Sequence, residues 1–234
     1  LKMLLSRKGS KKMEGACIIQ KSTLTQMVTD QLRQDILLGI IASGSRITVQ
    51  SIAKRYNTSA LPVREAMQIL SSENLLELSP YKGASVCEIN HTFISNTYDI
   101  LRSMEVLIVE SCLPHWSNEI RAQIVAANDE IHRLDSYEAV IERFNRLNRE
   151  FHDPLEQFCI NTRAMELRNS CHRIITILVD KNRPHRLERI RHVALEHDAI
   201  VAALDSGDTD RLRKVYTEHS VAAKEEMMYQ IYGE

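Results

Sequence analysis

The chain has 234 residues, which suits two modest domains of the common ~100–150-residue size better than one. Hydrophobic residues make up 44% and charged residues 26%, an ordinary soluble balance, and no window approaches the roughly 18 uninterrupted apolar residues of a membrane helix. A net charge of −1 hides an asymmetry: residues 1–90 carry 12 Lys and Arg against 7 Asp and Glu, and the rest carries 18 against 24, as in a nucleic-acid-binding module followed by a non-binding one.

Residues 1–21 are basic at LKMLLSRKGSKK but lack the apolar stretch and small-residue cleavage site of a secretory signal, so they read as a basic arm or an extraneous leftover, and export is not expected. Five scattered cysteines (Cys17, Cys87, Cys112, Cys159, Cys171) form no CxxC pair, which argues against a disulfide framework or a thiolate zinc site and fits a reducing cytoplasm. From Ser22 to Ile41, apolar residues at Leu24, Met27, Val28, Leu32, Ile36, Leu37 and Ile40 form a helical stripe introduced by the capping pair Thr23 and Gln26. ASGSRIT reads as a turn, and Val49–Tyr56 as a short second helix ended by Asn57 and Thr58. Ser59 can cap a third helix that has Pro62 in its first turn and Val63, Ala66, Met67 and Leu70 on its buried face. After Asn74 the runs LLELS and ASVCEI read as two strands joined by a turn at Pro80, Tyr81, Lys82 and Gly83. Helix, turn, helix and a hairpin wing suit DNA, because a helix fits the major groove and a wing tip can bring Lys82 to a phosphate. Taken singly, Arg64 reads as well as a solvated charge or a partner of Glu65.

Residues 91–234 contain no convincing strand, and breaks near Pro114, Ser136, Asn161, Pro184 and Gly207 divide them into about six helices, near 92–115, 118–135, 137–158, 162–182, 186–205 and 208–231. The fold class expected is mainly α: a winged helix-turn-helix over 22–90 and a helical bundle over 91–234. Three histidines sit on these helices, His152, His197 and His219, with Asn148 one turn before His152 and on its face. Each taken singly reads as a structural histidine, and spacing does not show that their helices converge.

GIIASGSRITVQSIAKRYNTSALPVREAMQILSSENLLELSPYKGASV resembles the winged helix of the GntR family of bacterial repressors, with PVREAM matching the third-helix signature. The resemblance implies DNA contacts at Arg64, a capping hydroxyl at Ser59 and a wing-tip glycine at Gly83. Ala60 stands where arginine is usual, and Leu61 where a small polar residue is usual. The order LR at 101–102, Glu105, NxxxH, EHxxI and a final H is similar to the FCD effector domain of the FadR subfamily. That likeness implies a divalent metal, zinc or a similar ion, held by Asn148, His152, His197 and His219, with Asn148 in the place of an aspartate and one negative charge fewer. It implies further a small carboxylate effector paired by Arg102, although Arg102 equally suits an i,i+3 pair with Glu105. The function expected is that of a cytoplasmic, homodimeric repressor on double-stranded operator DNA, released by its effector and not an enzyme. A competing reading is a metal-dependent hydrolase with a three-histidine centre and Glu150, Glu196 or Glu218 as base; the missing HExxH and the complete helix-turn-helix stand against it. A third keeps DNA binding but senses the metal itself.

Overall fold

Thr23 opens the first helix as its spacing predicts: its hydroxyl accepts from the Gln26 amide at 3.2 Å, and the Gln26 side chain accepts from the Thr23 amide at 2.7 Å. The computed structural model describes residues 23–80, 82–181 and 186–233; the expected arm over 1–21 and Tyr81 of the wing turn lie outside them. Helix α1 (Leu24–Leu37) is followed by a short strand β1 (Arg46–Ile47), α2 (Val49–Arg55), α3 (Ala60–Ser72), and strands β2 (Leu76–Ser79) and β3 (Gly83–Val86). All pairing is antiparallel in the order β1-β3-β2.

Two expectations change here. Arg46 and Ile47, read as part of a turn, pair with Ser85 and Ala84 as a third strand, because a two-residue strand is too short to leave a periodic signal. Ser59 occupies the N-cap position of α3 in an extended conformation, but its side chain makes no capping bond, so its hydroxyl stays exposed. The breaks after α2 and α3 use Asn57 (φ 48°) and Asn74 (φ 57°), a residue type that tolerates the left-handed region.

Three polar ties hold this head together. Asp35 accepts from Gln31 Nε2 (2.9 Å), Arg55 Nε (3.1 Å) and Tyr56 Oη (2.9 Å), fixing α2 to α1. Thr25 donates to Glu65 at 2.6 Å, so Glu65 is occupied by α1 and not by Arg64. Arg33 meets Glu73, the C-cap of α3, through two bonds of 2.7 and 2.9 Å.

The remainder is helical as expected: α4 (His91–Glu110), a 3-10 turn (Leu113–His115), α5 (Asn118–His132), α6 (Tyr137–Glu156), α7 (Thr162–Lys181), α8 (Leu187–Ser206) and α9 (Thr209–Tyr232). Side-chain caps from Asn90, Ser117, Ser136 and Asp208 start α4, α5, α6 and α9. Helix α4 packs on α7 and α9, α5 on α6 and α8, and α8 on α9. Two apolar clusters lie within the bundle, one around Phe151, Ile124 and Leu212, the other around Phe144, Ile131 and Ile190.

The apolar centre of the winged helix (Leu32, Ile36, Val63, Leu70, Leu75) continues into the bundle through Ile94, Tyr98, Leu101, Ile174, Ile175, Leu178, Met227 and Met228. Helix α1 is seated against α7 along this junction.

Gly83 sits at φ +86°, and a Cβ there would lie 2.2 Å from the Ile47 carbonyl oxygen, so wing closure onto β1 needs glycine on two counts. Gly83→Ala is expected to cost about 2 kcal/mol or more, read as a lower urea midpoint at unchanged slope. A wild-type midpoint would show that β1 is not clamped by the wing.

Candidate DNA surface and histidine cavity

Helices α2 and α3 with the β2–β3 wing form a winged helix-turn-helix. Arg64, on α3, is exposed and makes no hydrogen bond or ion pair with another described residue, while its helix is anchored by Val63, Ala66, Met67 and Leu70. Lys82 is exposed at the wing, and its backbone carbonyl accepts from Arg46 Nε at 3.0 Å. Arg46 is a basic residue of this surface that sequence reading missed, because nothing in the chain order of a presumed turn links it to the wing tip.

Inside the bundle, α6, α8 and α9 bring His152, His197 and His219 together: one ligand atom of each lies within 4.8 Å of the others. Helix periodicity set each residue on the inner stripe of its own helix, and Phe151 stacks flat on His197 with centroids 3.7 Å apart. Each ring is held by its Nδ1, to the Asn128 Oδ1 for His197 (3.0 Å), to Glu196 Oε2 for His219 (2.7 Å) and to Tyr216 Oη for His152 (2.9 Å).

Asn128 donates from Nδ2 to the Ala194 carbonyl (3.0 Å) and Asp198 (2.8 Å), so its oxygen faces His197 and requires a proton on Nδ1 there. The carboxylate of Glu196 makes the same demand on His219, and Arg189 holds that carboxylate at both oxygens (2.5 and 2.9 Å). The Nε2 lone pairs of His197 and His219 are thereby left for a ligand, and that of His197 is buried with no hydrogen-bond partner. Burial holds His152 and His197 well below the usual histidine range, with the neighbouring His219 acting the same way, so both rings are neutral and fit to donate to a cation. Glu196 lies below the usual carboxylate range: burial opposes this, but the bonds from His219 and Arg189 prevail.

Two adjoining hollows of about 390 and 210 Å³ open beside the cluster; both are lined by Asn148, Arg149, His172, Ile175 and His219, and His152 lines the larger. Asn148 therefore sits where its spacing to His152 suggested, on the cavity wall. Arg149 makes no hydrogen bond or ion pair with another described residue, whereas Arg168 and Arg189, also on the walls, are paired with Glu156 and Glu196. Burial, opposed by Arg168, raises the Glu105 carboxyl of the larger hollow to about 7.

Arg102 is placed otherwise than expected. Tyr98, Leu101 and Glu105 form the cavity face of α4, which turns Arg102 away to a separate surface groove with Lys224 and Met228, where it pairs with Asp99 at 3.2 Å and not with Glu105. Of the residues weighed as bases, Glu196 is a partner of a histidine, Glu150 pairs with Arg146 at 2.7 Å on the surface, and Glu218 is exposed. Asn128 and Tyr216 were not foreseen, since they lie on other helices or other turns than the histidines they hold.

Among the described residues no helix is long and apolar enough to cross a membrane. The chain matches the family described as bacterial regulatory proteins, gntR family, over residues 24–86 and the FCD domain over residues 96–222. It is 24% identical over 211 residues to BphR, an uncharacterized HTH-type transcriptional regulator of Paraburkholderia xenovorans, covering 86% of this chain and 84% of that one. It is 25% identical over 212 residues to RspR, an HTH-type transcriptional repressor of Escherichia coli, covering 83% and 86%. In fold it is similar to E. coli McbR/YncC, with a TM-score of 0.61 at 18% identity, over 90% of this chain and 100% of that one. One matched region falls on the winged head and the other on most of the helical bundle, and the chain belongs to the GntR family of DNA-binding transcription regulators, with an FCD domain as its C-terminal part, families of regulators and not of enzymes.

Proposed function

We propose that this regulator is a repressor whose hold on operator DNA is set by a small organic acid bound beside a divalent ion, zinc or a similar one, in the α6–α8–α9 cavity. The observation that carries the reading is the convergence of His152, His197 and His219 with their Nδ1 atoms occupied and the His197 Nε2 left unpartnered and buried. Imidazoles suit a metal of the zinc type, and Asn148 on the same wall offers a carbonyl oxygen. The ion would supply Lewis acidity and two positive charges. Neutral imidazoles and an amide leave that charge uncompensated, which favours a ligand carrying a carboxylate. With Arg102 facing elsewhere, Arg149 is a cation of the cavity wall that makes no ion pair with another described residue.

On the DNA side, α3 would enter the major groove with Arg64 toward base edges, while Lys82, Arg46 and the uncapped Ser59 hydroxyl serve phosphates. A homodimer pairs two such heads with the half-sites of a palindrome. Repression is the role in the names of relatives such as RspR and GlaR of E. coli.

Metal analysis of the purified protein with native mass spectrometry is expected to find about one divalent ion per chain, and none in His197→Ala; wild-type metal content in that variant would sink the site. Asn128→Leu should keep the fold and weaken zinc binding about 10–100-fold, the usual loss when a ligand's hydrogen-bonded partner is removed. Zinc affinity unaltered in a titration would show that His197 needs no orienting group. Arg64→Ala is expected to cost about 1–3 kcal/mol of operator binding if the side chain reads a base, measured on a site selected from random-sequence DNA.

A further inference from the structure

We propose that α7 carries the state of the histidine cavity to the DNA-reading helix, through the contact of Arg173 with Glu73. The inference deepens the reading of that cavity as the regulated site and rests on it.

Helix α7 has two working sides. Arg168, His172 and Ile175 line the hollows beside the histidines. Arg173 follows His172 directly, about 100° further round the helix, and its Nη2 lies 3.4 Å from Glu73 Oε1. Glu73 is the C-cap of α3, is 8% exposed, and already holds Arg33 of α1 through two bonds. One carboxylate thus joins the recognition helix, the first helix of the head and the cavity wall. Apolar packing runs the same way: Ile175 belongs both to the cavity wall and to the core that contains Leu32 and Leu70, with Ile174 and Leu178 beside it.

The character of the contacts fits a switch. Arg33–Glu73 is buried, and breaking it would strand a charge, so that pair moves as a unit. Arg173, with a side chain 47% exposed, gives a contact easily made or lost. No loop intervenes between the two sides of α7 to absorb a displacement, and a packed interface tends to hop between arrangements rather than deform. A ligand or ion that pulls on the His172 side of the helix therefore changes what Glu73 meets on the other.

The test is hydrogen exchange by mass spectrometry on the full chain, with and without saturating zinc as the probe, for wild type, Arg173→Ala and Arg173→Lys. Zinc is expected to slow exchange of wild-type amides in 168–179 and to alter those in 33–38 and 70–75. In Arg173→Ala, zinc stoichiometry and the α7 response should persist, while the response in 33–38 and 70–75 falls to half or less; lysine should restore part of it. If α7 responds but the head does not, or the head of Arg173→Ala responds like wild type, the coupling is overturned while the metal reading stands. Failure of the wild-type protein to bind zinc overturns the metal reading, and the coupling falls with it.

Discussion

Three imidazoles share a few ångströms of bundle interior, and the surrounding polar groups are arranged around that fact. Burial keeps His152 and His197 neutral, Asn128 and Glu196 dictate which nitrogen of their partner carries the proton, and Arg189 compensates the carboxylate that would otherwise sit in the bundle unpaired. Helices α5, α6, α8 and α9 are tied to one another by these bonds as well as by apolar contact. The order of the cavity and the order of the bundle are therefore one property.

The head is built with a different economy. Around its apolar core, its geometry is fixed by a few polar anchors, Asp35 between α1 and α2 and Glu65 and Glu73 between α1 and α3, and by the close approach of Gly83 of the wing to β1. Each anchor leaves the exposed side chains of Arg64 and Lys82 unengaged by described residues while fixing the backbone that carries them. Such a surface is ready to meet phosphates without first breaking internal pairs.

Head and bundle do not behave as beads on a string. The apolar centre of the winged helix extends through α4, α7 and α9, so its packing depends on helices that also wall the cavity. Regulation by a ligand needs a physical element shared by two sites, and a shared core with a polar contact at its edge is such an element.

Much of this was legible in the chain order. The 3.6-residue stripes, the Thr23–Gln26 box, the breaks at Asn57 and Asn74 and those of the bundle near Ser136, Asn161 and Gly207 are local signals, decided by residues within one or two turns, and the helices fall close to where those signals put them. The spacing of Asn148 and His152 likewise set them on one face before any packing was considered. Arg46–Ile47 was lost because a two-residue strand exists only through its partner β3, and the Ser59 cap failed because an N-cap residue need not use its side chain. What only the tertiary structure decided is which helix faces meet: the convergence of His152, His197 and His219, the orienting roles of Asn128 and Glu196 across helices, the turning of Arg102 outward and of Arg149 onto the cavity wall, and the reach of Arg173 to Glu73. Those are contacts between segments tens of residues apart, and periodicity along one helix carries no information about the rotation and offset of another.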